Sequence, residues 1–225
     1  MSLFQKVAIS CPSCGTSNEF EAVHSVNADR RPDLRESILN RSFQRQACTS
    51  CGKVFRLEPE FNYLHIGQNQ WIAAFPRESL QQWRESEGRA QQIFDKAFGD
   101  SAPSSAQIIG DQLKVRVVFG WPALHEKLVT EAEGLDDVEI ELLKGAILRG
   151  VDGNPVGPDI ELRLVGADED ALYLVWLQLP QEALLSEMRV PRALYDEIRA
   201  DTVEWAPLRA AVSEGLYVDL NRIGA

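Results

Sequence analysis

The sequence predicts an α+β protein with an N-terminal Cys₄ zinc-ribbon-like module that contains an inserted helix, followed by a C-terminal α+β domain. Two Cys-x-x-Cys-Gly motifs near the N-terminus predict the module. Strand-like segments mixed with helical periodicity predict the α+β class. A small, polar, proline-containing stretch at 99–106 separates two halves of different charge. The expected domains are therefore a zinc-binding domain with a trailing helix at 1–98, a linker at 99–106 and an acidic α+β domain at 107–225.

The composition is that of an ordinary globular protein. The chain has 225 residues, of which 44% are hydrophobic and 25% are charged. A chain of this length can bury a core without help from a metal. It has no run of about 18 apolar residues, and its N-terminus lacks the basic start and apolar stretch of a secretory signal. We therefore expect a cytoplasmic protein with no membrane partner. The reducing conditions of the cytoplasm favour metal-bound thiolates over disulfides.

The net charge lies entirely in the C-terminal part. Residues 1–100 contain 12 Lys and Arg against 12 Asp and Glu, whereas residues 101–225 contain 11 against 22, which gives −11. An acidic domain repels phosphate backbones. Any nucleic-acid binding would therefore have to come from the first half of the chain.

The elements predicted for the first half surround the two cysteine motifs. Strands at 4–10 and 19–26 flank the first motif, and the second of them shows a rough apolar alternation. A helix begins at Pro32, because proline fits the first helical turn and the apolar residues that follow share one face. A strand at 54–57 follows the second motif.

A hairpin and a helix complete the first half. Residues 61–66 and 70–75 are apolar segments joined by a Gly-Gln-Asn turn, which predicts a β-hairpin. Ser79 caps a helix that runs to about Phe98, with apolar residues at partly helical spacing.

The second half mixes helices and strands. Its β-branched and apolar runs predict strands, its 3.6-residue periodicity and acidic helix starts predict helices, and its Gly- and Pro-rich stretch predicts a loop. In chain order these are a strand at 113–119, a helix at 122–131, a helix that starts at 136 or 137 and runs to 149, a loop at 150–158, strands at 160–165 and 171–179, and helices at 191–199 and 205–212.

The strongest chemical signal is a metal site. All four cysteines of the chain lie in the two motifs, as Cys11, Cys14, Cys48 and Cys51. Two such pairs hold one tetrahedral Zn²⁺ through four thiolates, and the glycine after each pair allows a tight turn. We predict one structural zinc ion, because a Cys₄ site is closed to substrate. A redox-sensing zinc switch is the alternative interpretation.

The insert between the motifs, residues 15–47, is longer than in a compact zinc ribbon. It holds a predicted strand and the helix that begins at Pro32, so the two motifs can still meet in space.

These motifs resemble the CpXC family. The matching segments lie at 11–15, 26–29, 32–39, 48–52, 117–120, 126–128, 134–137 and 141–144. The chain departs from the family pattern at Thr49, where the pattern has proline, but this residue is not a ligand. The resemblance implies a bacterial zinc-ribbon-like module and carries no known activity.

A basic stretch offers a possible nucleic-acid-binding surface. Residues 29–56 carry a local charge of +4, with two phenylalanines interleaved, and zinc ribbons with such a face can bind nucleic acid. The candidate contacts are Arg30, Arg31, Arg35, Arg41 and Arg45. A solvated helix face, or a surface that docks on the acidic domain, explains the same charges.

No catalytic residue is predicted, because the chain has no complete catalytic motif. His125-Glu126 begins like a His-Glu-x-x-His motif, but position 129 is valine. The leading hypothesis is a cytoplasmic, non-catalytic zinc-binding protein that acts as a protein-interaction or adaptor module. A nucleic-acid-binding or regulatory zinc-ribbon protein is the alternative. A third hypothesis is an enzyme with a site in the C-terminal domain, which a pocket with converging carboxylates would favour.

Overall fold

The computed structural model describes residues 3–150 and 159–224. The chain divides into two compact units, Met1–Trp121 and Pro122–Ala225, called unit 1 and unit 2 below. The predicted α+β class is confirmed. Of the loop expected at 150–158, only Gly150 is among the described residues, and it ends a helix.

Unit 1 follows most of the predicted element order. Its elements are β1 (Leu3–Ser10), β2 (Ser17–Asn27), α1 (Pro32–Leu39), β3 (Arg45–Ala47), β4 (Val54–Arg56), β5 (Phe61–His65), β6 (Gln70–Phe75), α2 (Trp83–Phe98), α3 (Ser104–Gly110) and β7 (Lys114–Phe119). The helix expected from Ser79 begins at Trp83, because a 3₁₀ helix occupies Arg77–Gln82.

A five-stranded sheet in the order β1-β2-β5-β6-β7 forms the frame of unit 1. The pairs β1–β2 and β5–β6 are antiparallel, whereas β2–β5 and β6–β7 are parallel. Strands β3 and β4 form a separate two-stranded hairpin. All six residues of β6 are buried, as expected for an apolar strand with a neighbour on each side.

Aromatic side chains fill part of the core of unit 1. The ring centroids of Phe43, Phe61 and Trp121 lie 5.8–5.9 Å from one another, a separation at which edge-on and tilted pairs attract. The guanidinium of Arg56 lies over the Trp121 ring, 3.7 Å from its centroid. Trp121 also donates a hydrogen bond from Nε1 to the carbonyl of Leu57, at 2.8 Å.

The boundary between the units lies after Trp121, later in the chain than the linker expected at 99–106. Helix α3 begins at Ser104, and β7 pairs with β6 along its whole length. The polar, proline-containing stretch is therefore a connection inside unit 1, because the strand that follows it completes the sheet.

Unit 2 combines helices with a three-stranded antiparallel sheet. Its elements are α4 (Gly120–Ala132), whose first two residues belong to unit 1, α5 (Asp137–Gly150), β8 (Ile160–Ala167), β9 (Ala171–Gln178), β10 (Ala183–Pro191), α6 (Arg192–Ala200), α7 (Ala206–Ser213) and α8 (Asn221–Gly224). The sheet order is β10-β9-β8, so β9 is central. This position explains the nearly continuous apolar run of β9, in which Tyr173 is the exposed exception.

Two local features of unit 2 differ from the sequence expectation. Strand β10 was not predicted, because most of its residues are exposed and show no alternation. At the start of α5, Asp136 caps the helix by accepting hydrogen bonds from the backbone N–H groups of Val138 and Glu139. Its neighbour Asp137 is instead buried and paired with Lys127 at 3.0 Å.

Candidate metal centre

Each Cys-x-x-Cys motif forms the tip of a β-hairpin. The first lies between β1 and β2, and the second lies between β3 and β4. In each tip the glycine N–H donates to the carbonyl of the first cysteine, at 2.9 Å for Gly15 and 3.0 Å for Gly52. Both glycines have a positive φ, 73° and 71°, a conformation that side chains disfavour. The two tips, called knuckles below, are therefore built on the same backbone pattern.

The knuckles bring all four sulfur atoms together. The Sγ atoms of Cys11 and Cys51 are 3.8 Å apart, and those of Cys14 and Cys48 are 3.6 Å apart. All four lie within 4.8 Å of one another. Cys11 and Cys48 are buried, whereas Cys14 and Cys51 are exposed. The four cysteines are therefore positioned to bind one metal ion.

These distances fit the sulfur shell of a tetrahedral ion. Zinc–sulfur bonds of about 2.3 Å place the corners of a tetrahedron about 3.8 Å apart. The two measured pairs match that edge length. A bound ion would be held by the four thiolates of this chain and would link the two hairpins, because each hairpin supplies two of the ligands.

The knuckle backbone favours the thiolate form of one ligand. The N–H of Ser50 points at the Cys48 sulfur at 3.4 Å, as the N–H of Ser13 does at Cys11. Backbone N–H groups of Cys51 and Ser50, with a smaller contribution from the Asn18 amide, lower the pKa of the Cys48 thiol to about 6. The thiolate is the form that binds metal.

Asn18 supports the site and was not found from the sequence. Its side chain is 2% exposed. The amide nitrogen donates to the Thr16 carbonyl at 2.8 Å and to the Cys48 sulfur at 3.6 Å. Its oxygen accepts from the N–H and the hydroxyl of Thr49 at 2.8 and 2.9 Å. One side chain therefore links the first knuckle to the second.

The family comparison agrees with this architecture. The CpXC protein family matches the chain over residues 9–144, more than half of its length. The chain belongs to the CpXC family. The matched region covers both knuckles and extends into α5. No curated protein and no solved structure matches the chain.

Thr49 makes contacts that a proline at this position would lose. A proline at this position has no N–H and no hydroxyl. Thr49 uses both groups to bind Asn18. Thr49 therefore contributes two hydrogen bonds to the support of the metal site.

The candidate nucleic-acid contacts lie in different local settings. Arg30 is exposed, whereas Arg31 forms an ion pair with Asp33 at 2.6 Å. Arg45 donates from Nε to the Arg41 carbonyl at 2.6 Å. The Nε–H of Arg35 is buried and donates to no partner within hydrogen-bond geometry. The five arginines therefore differ in their exposure and pairing, and they are not equivalent as candidate phosphate contacts.

Among the described residues, no helix is both long and apolar enough to cross a membrane.

Proposed function

We propose that the chain binds one structural Zn²⁺ and acts in the cytoplasm as a non-catalytic protein-interaction or adaptor module. The observation that supports it best is the set of four sulfurs within 4.8 Å of one another. Four ligands from one chain complete a tetrahedral shell and leave no position for substrate or activated water. Such an ion stabilises a fold, and the folded surface performs the function.

Zinc is the metal best suited to these ligands. Soft thiolates select Zn²⁺, Cu⁺ or iron. A tetrahedral shell of four cysteines closing two hairpin knuckles is typical of structural zinc. Metal analysis of purified protein tests this directly. We expect one zinc per chain, and iron or copper in its place would overturn the zinc assignment.

The edge strand β10 supports a protein partner. Among the described residues, β10 pairs only with β9. Leu184 is 55% exposed and Leu185 is 47% exposed. Leu185 lies at a register shift between Leu184 and Ser186. The proposed partner supplies an extended apolar segment that pairs with this edge, since added strands gain affinity from main-chain hydrogen bonds and specificity from side chains.

Crosslinking and affinity capture of the tagged, zinc-loaded chain test the adaptor proposal. A stoichiometric protein partner is expected, identified by mass spectrometry. The double variant Leu184→Lys, Leu185→Lys should lose it, and Cys14→Ser and Cys48→Ser show whether capture also needs the metal site. Val203→Lys is the matched control, because Val203 is 83% exposed and lies outside β10. Capture of nucleic acid alone, of nothing above background, or equal capture by both Lys variants would overturn the proposal.

A further inference from the structure

The hairpin of β3 and β4, called the ribbon below, packs one of its faces against β2. Among the described residues, its two strands pair only with each other and stay separate from the five-stranded sheet. On the inner face, the ring centroid of Phe55 lies 6.0 Å from that of Phe20. Gln46 donates from Nε2 to the Glu19 carbonyl at 3.0 Å. The ribbon is therefore anchored to unit 1 through Phe55 and Gln46.

The opposite face of the ribbon is open to solvent. Its cross-strand pairs are Arg45 with Arg56 and Ala47 with Val54, and residues directly opposite each other share a face. Arg45 and Ala47 are exposed, and Val54 is 55% exposed. Arg56 is the exception, because its guanidinium lies over the Trp121 ring. This face is therefore accessible to a partner.

The ribbon and the loop before it carry positive charge without carboxylates. Residues 41–56 contain no Asp or Glu and four cations, Arg41, Arg45, Lys53 and Arg56. Among the described residues, Arg41, Arg45 and Lys53 form no ion pair. Other cations of unit 1, such as Lys6 and Arg31, each pair with a carboxylate at 2.6–2.7 Å. The ribbon cations are therefore available to an external anion.

Two of these cations face each other across the ribbon. Arg45 and Arg56 occupy directly opposite positions, where like charges are destabilising. Arg45 also donates from Nε to the Arg41 carbonyl at 2.6 Å, which holds its guanidinium near the loop that carries Arg41. An arrangement that costs stability in the free protein indicates a ligand of opposite charge.

The surrounding negative charges leave the ribbon positive. Glu19 and Glu21 flank Phe20 on β2. Because successive side chains of a strand alternate between faces, these two carboxylates point away from the face on which Phe20 meets the ribbon. A zinc ion with four thiolates has a formal charge of −2, so the four cations and the loaded metal site together keep +2.

The shape of the ribbon fits the major groove of duplex DNA. Its two strands lie about 4.8 Å apart, and a groove about 12 Å wide admits a two-stranded β-ribbon. Single strands are bound by stacking their bases on aromatic side chains, but here Phe43 is 6% exposed and Phe55 faces Phe20. Duplex RNA has a deep, narrow major groove that fits such a ribbon poorly.

We propose that the ribbon binds duplex DNA through the phosphate backbone, with Arg41, Arg45 and Lys53 as its contacts. Phosphate contacts fix the position of a protein on the duplex and read no sequence directly. Of the five arginines considered from the sequence, Arg41 and Arg45 are contacts, whereas Arg31 is already paired with Asp33. DNA binding at the ribbon is independent of the protein partner proposed for β10.

Salt dependence is the signature of this binding mode. Each phosphate contact releases counterions, so the slope of log affinity against log salt concentration is about −0.9 per contact. Three contacts give a slope of about −2.7, which corresponds to an affinity loss of about twentyfold between about 50 and 150 mM salt.

Fluorescence anisotropy of the full, zinc-loaded chain with a short labelled DNA duplex tests the proposal across this salt range. The duplex should bind, its affinity should follow this slope, and a change of its base sequence should have little effect. The competitors are the same sequence as a single strand, a duplex RNA and polyglutamate. Each of them should displace the protein from the duplex less effectively than unlabelled duplex DNA does.

Two double variants with the same change in charge complete the test. Arg45→Gln with Lys53→Gln removes two exposed cations of the ribbon. This variant should weaken binding by about tenfold or more and reduce the steepness of the salt slope by about two. Lys6→Gln with Arg31→Gln removes two positive charges outside the ribbon from the same net charge of −11 and should leave the slope unchanged.

Four outcomes would overturn the proposal. They are absence of binding at low salt, a competitor as effective as unlabelled duplex DNA, wild-type affinity of the ribbon double variant, and an equal loss of affinity in both double variants.

Discussion

The side-chain amide of Asn18 lies 3.6 Å from the sulfur of Cys48, although the two residues belong to different hairpins. The same side chain binds Thr16 and Thr49. Partners of metal ligands orient the ligands and restrict their motion, and their loss typically lowers metal affinity about 10–100-fold. Asn18 therefore acts as a positioning residue that couples the two knuckles.

Asn18→Ala keeps all four cysteine ligands but should bind zinc more weakly than the wild type does. We expect a loss of about tenfold or more in zinc affinity, measured by competition with a chromophoric chelator. Asn40→Ala is the control, because Asn40 is exposed and its side chain hydrogen-bonds locally, to Ser42. Equal affinities for wild type and Asn18→Ala would show that the ligands are held without this amide.

Thr49→Pro should weaken the metal site. Proline removes both donors to Asn18, whereas Thr49→Val removes only the hydroxyl. Because each lost hydrogen bond contributes about 1 kcal/mol, we expect a graded fall in the stability of unit 1 from Thr49→Val to Thr49→Pro. Chemical denaturation measures it, with Thr49→Ser as the control. A Thr49→Pro variant as stable as wild type would contradict the expectation.

Cys14→Ser should abolish stoichiometric zinc and unfold the knuckles. Structural zinc in small modules contributes roughly 10–16 kcal/mol of apparent binding free energy, which is also folding free energy. Inductively coupled plasma mass spectrometry reports the metal, and hydrogen exchange reports protection along the chain. Protection should fall in unit 1 and persist in much of unit 2. Ser13→Ala, within the same knuckle, serves as the control, and retained zinc with unchanged protection in Cys14→Ser would refute the prediction.

Arg56→Lys should destabilise unit 1. The Arg56 guanidinium lies over the Trp121 ring and donates from Nε to the Phe43 carbonyl at 2.9 Å. Lysine keeps the charge but loses the planar stacking group and this donor. We expect a loss of about 1–2 kcal/mol in the free energy of unfolding. A double-mutant cycle with Trp121→Phe measures the coupling, and a coupling near zero would show that the stacked geometry contributes nothing.

The stability of unit 2 should fall as the pH rises towards neutrality. Burial raises the pKa of Glu141 to about 7 in the folded protein, from about 4.5 when the side chain is free, so between these values the folded state binds more protons than the unfolded state. The free energy of unfolding then decreases with rising pH, by an amount on the order of 2–3 kcal/mol between pH 5 and 8. Glu126 and Asp219 stay charged in this window, because their pKa values are lowered, and Lys144 stays charged, because its pKa is raised.

Glu141→Gln isolates this effect. The variant should be more stable than wild type at pH 8, and the difference should shrink towards pH 5, because wild-type Glu141 is then protonated. Denaturation midpoints across this range measure it, and subtraction of the two profiles removes the titration of the cysteines. Parallel pH profiles would show that Glu141 does not titrate in the folded protein.

The metal ligands could be predicted because their pattern is local. Each knuckle places its two cysteines three residues apart, and the glycine that follows fixes the turn. Asn18 could not be predicted in the same way, because its role depends on Thr49, 31 residues away. A lone asparagine after a turn carries no sequence signal that distinguishes such a role.

Unit 2 contains buried charged side chains that escaped prediction for a similar reason. They are Glu126, Lys127, Asp137, Glu141, Lys144, Glu161, Arg163 and Asp219. They come from several elements, and charged residues in a helix usually face solvent. One signal was present in α5, where Asp137, Glu141 and Lys144 follow the i, i+4, i+7 spacing of a single helix face. All three are buried. Strand β10 was missed because an exposed edge strand lacks the alternation that a half-buried strand shows.

The pairing of β6 with β7 bears on any attempt to produce unit 1 alone. The two strands pair from Gln70↔Lys114 to Phe75↔Phe119. A fragment that ends at residue 98, as the sequence suggests, would lack β7 and would uncover one whole edge of an apolar strand. Open edges of this kind pair with other molecules and aggregate. A fragment that extends through Trp121 keeps this edge of β6 paired with β7. We expect this fragment of the chain to remain in solution without aggregating.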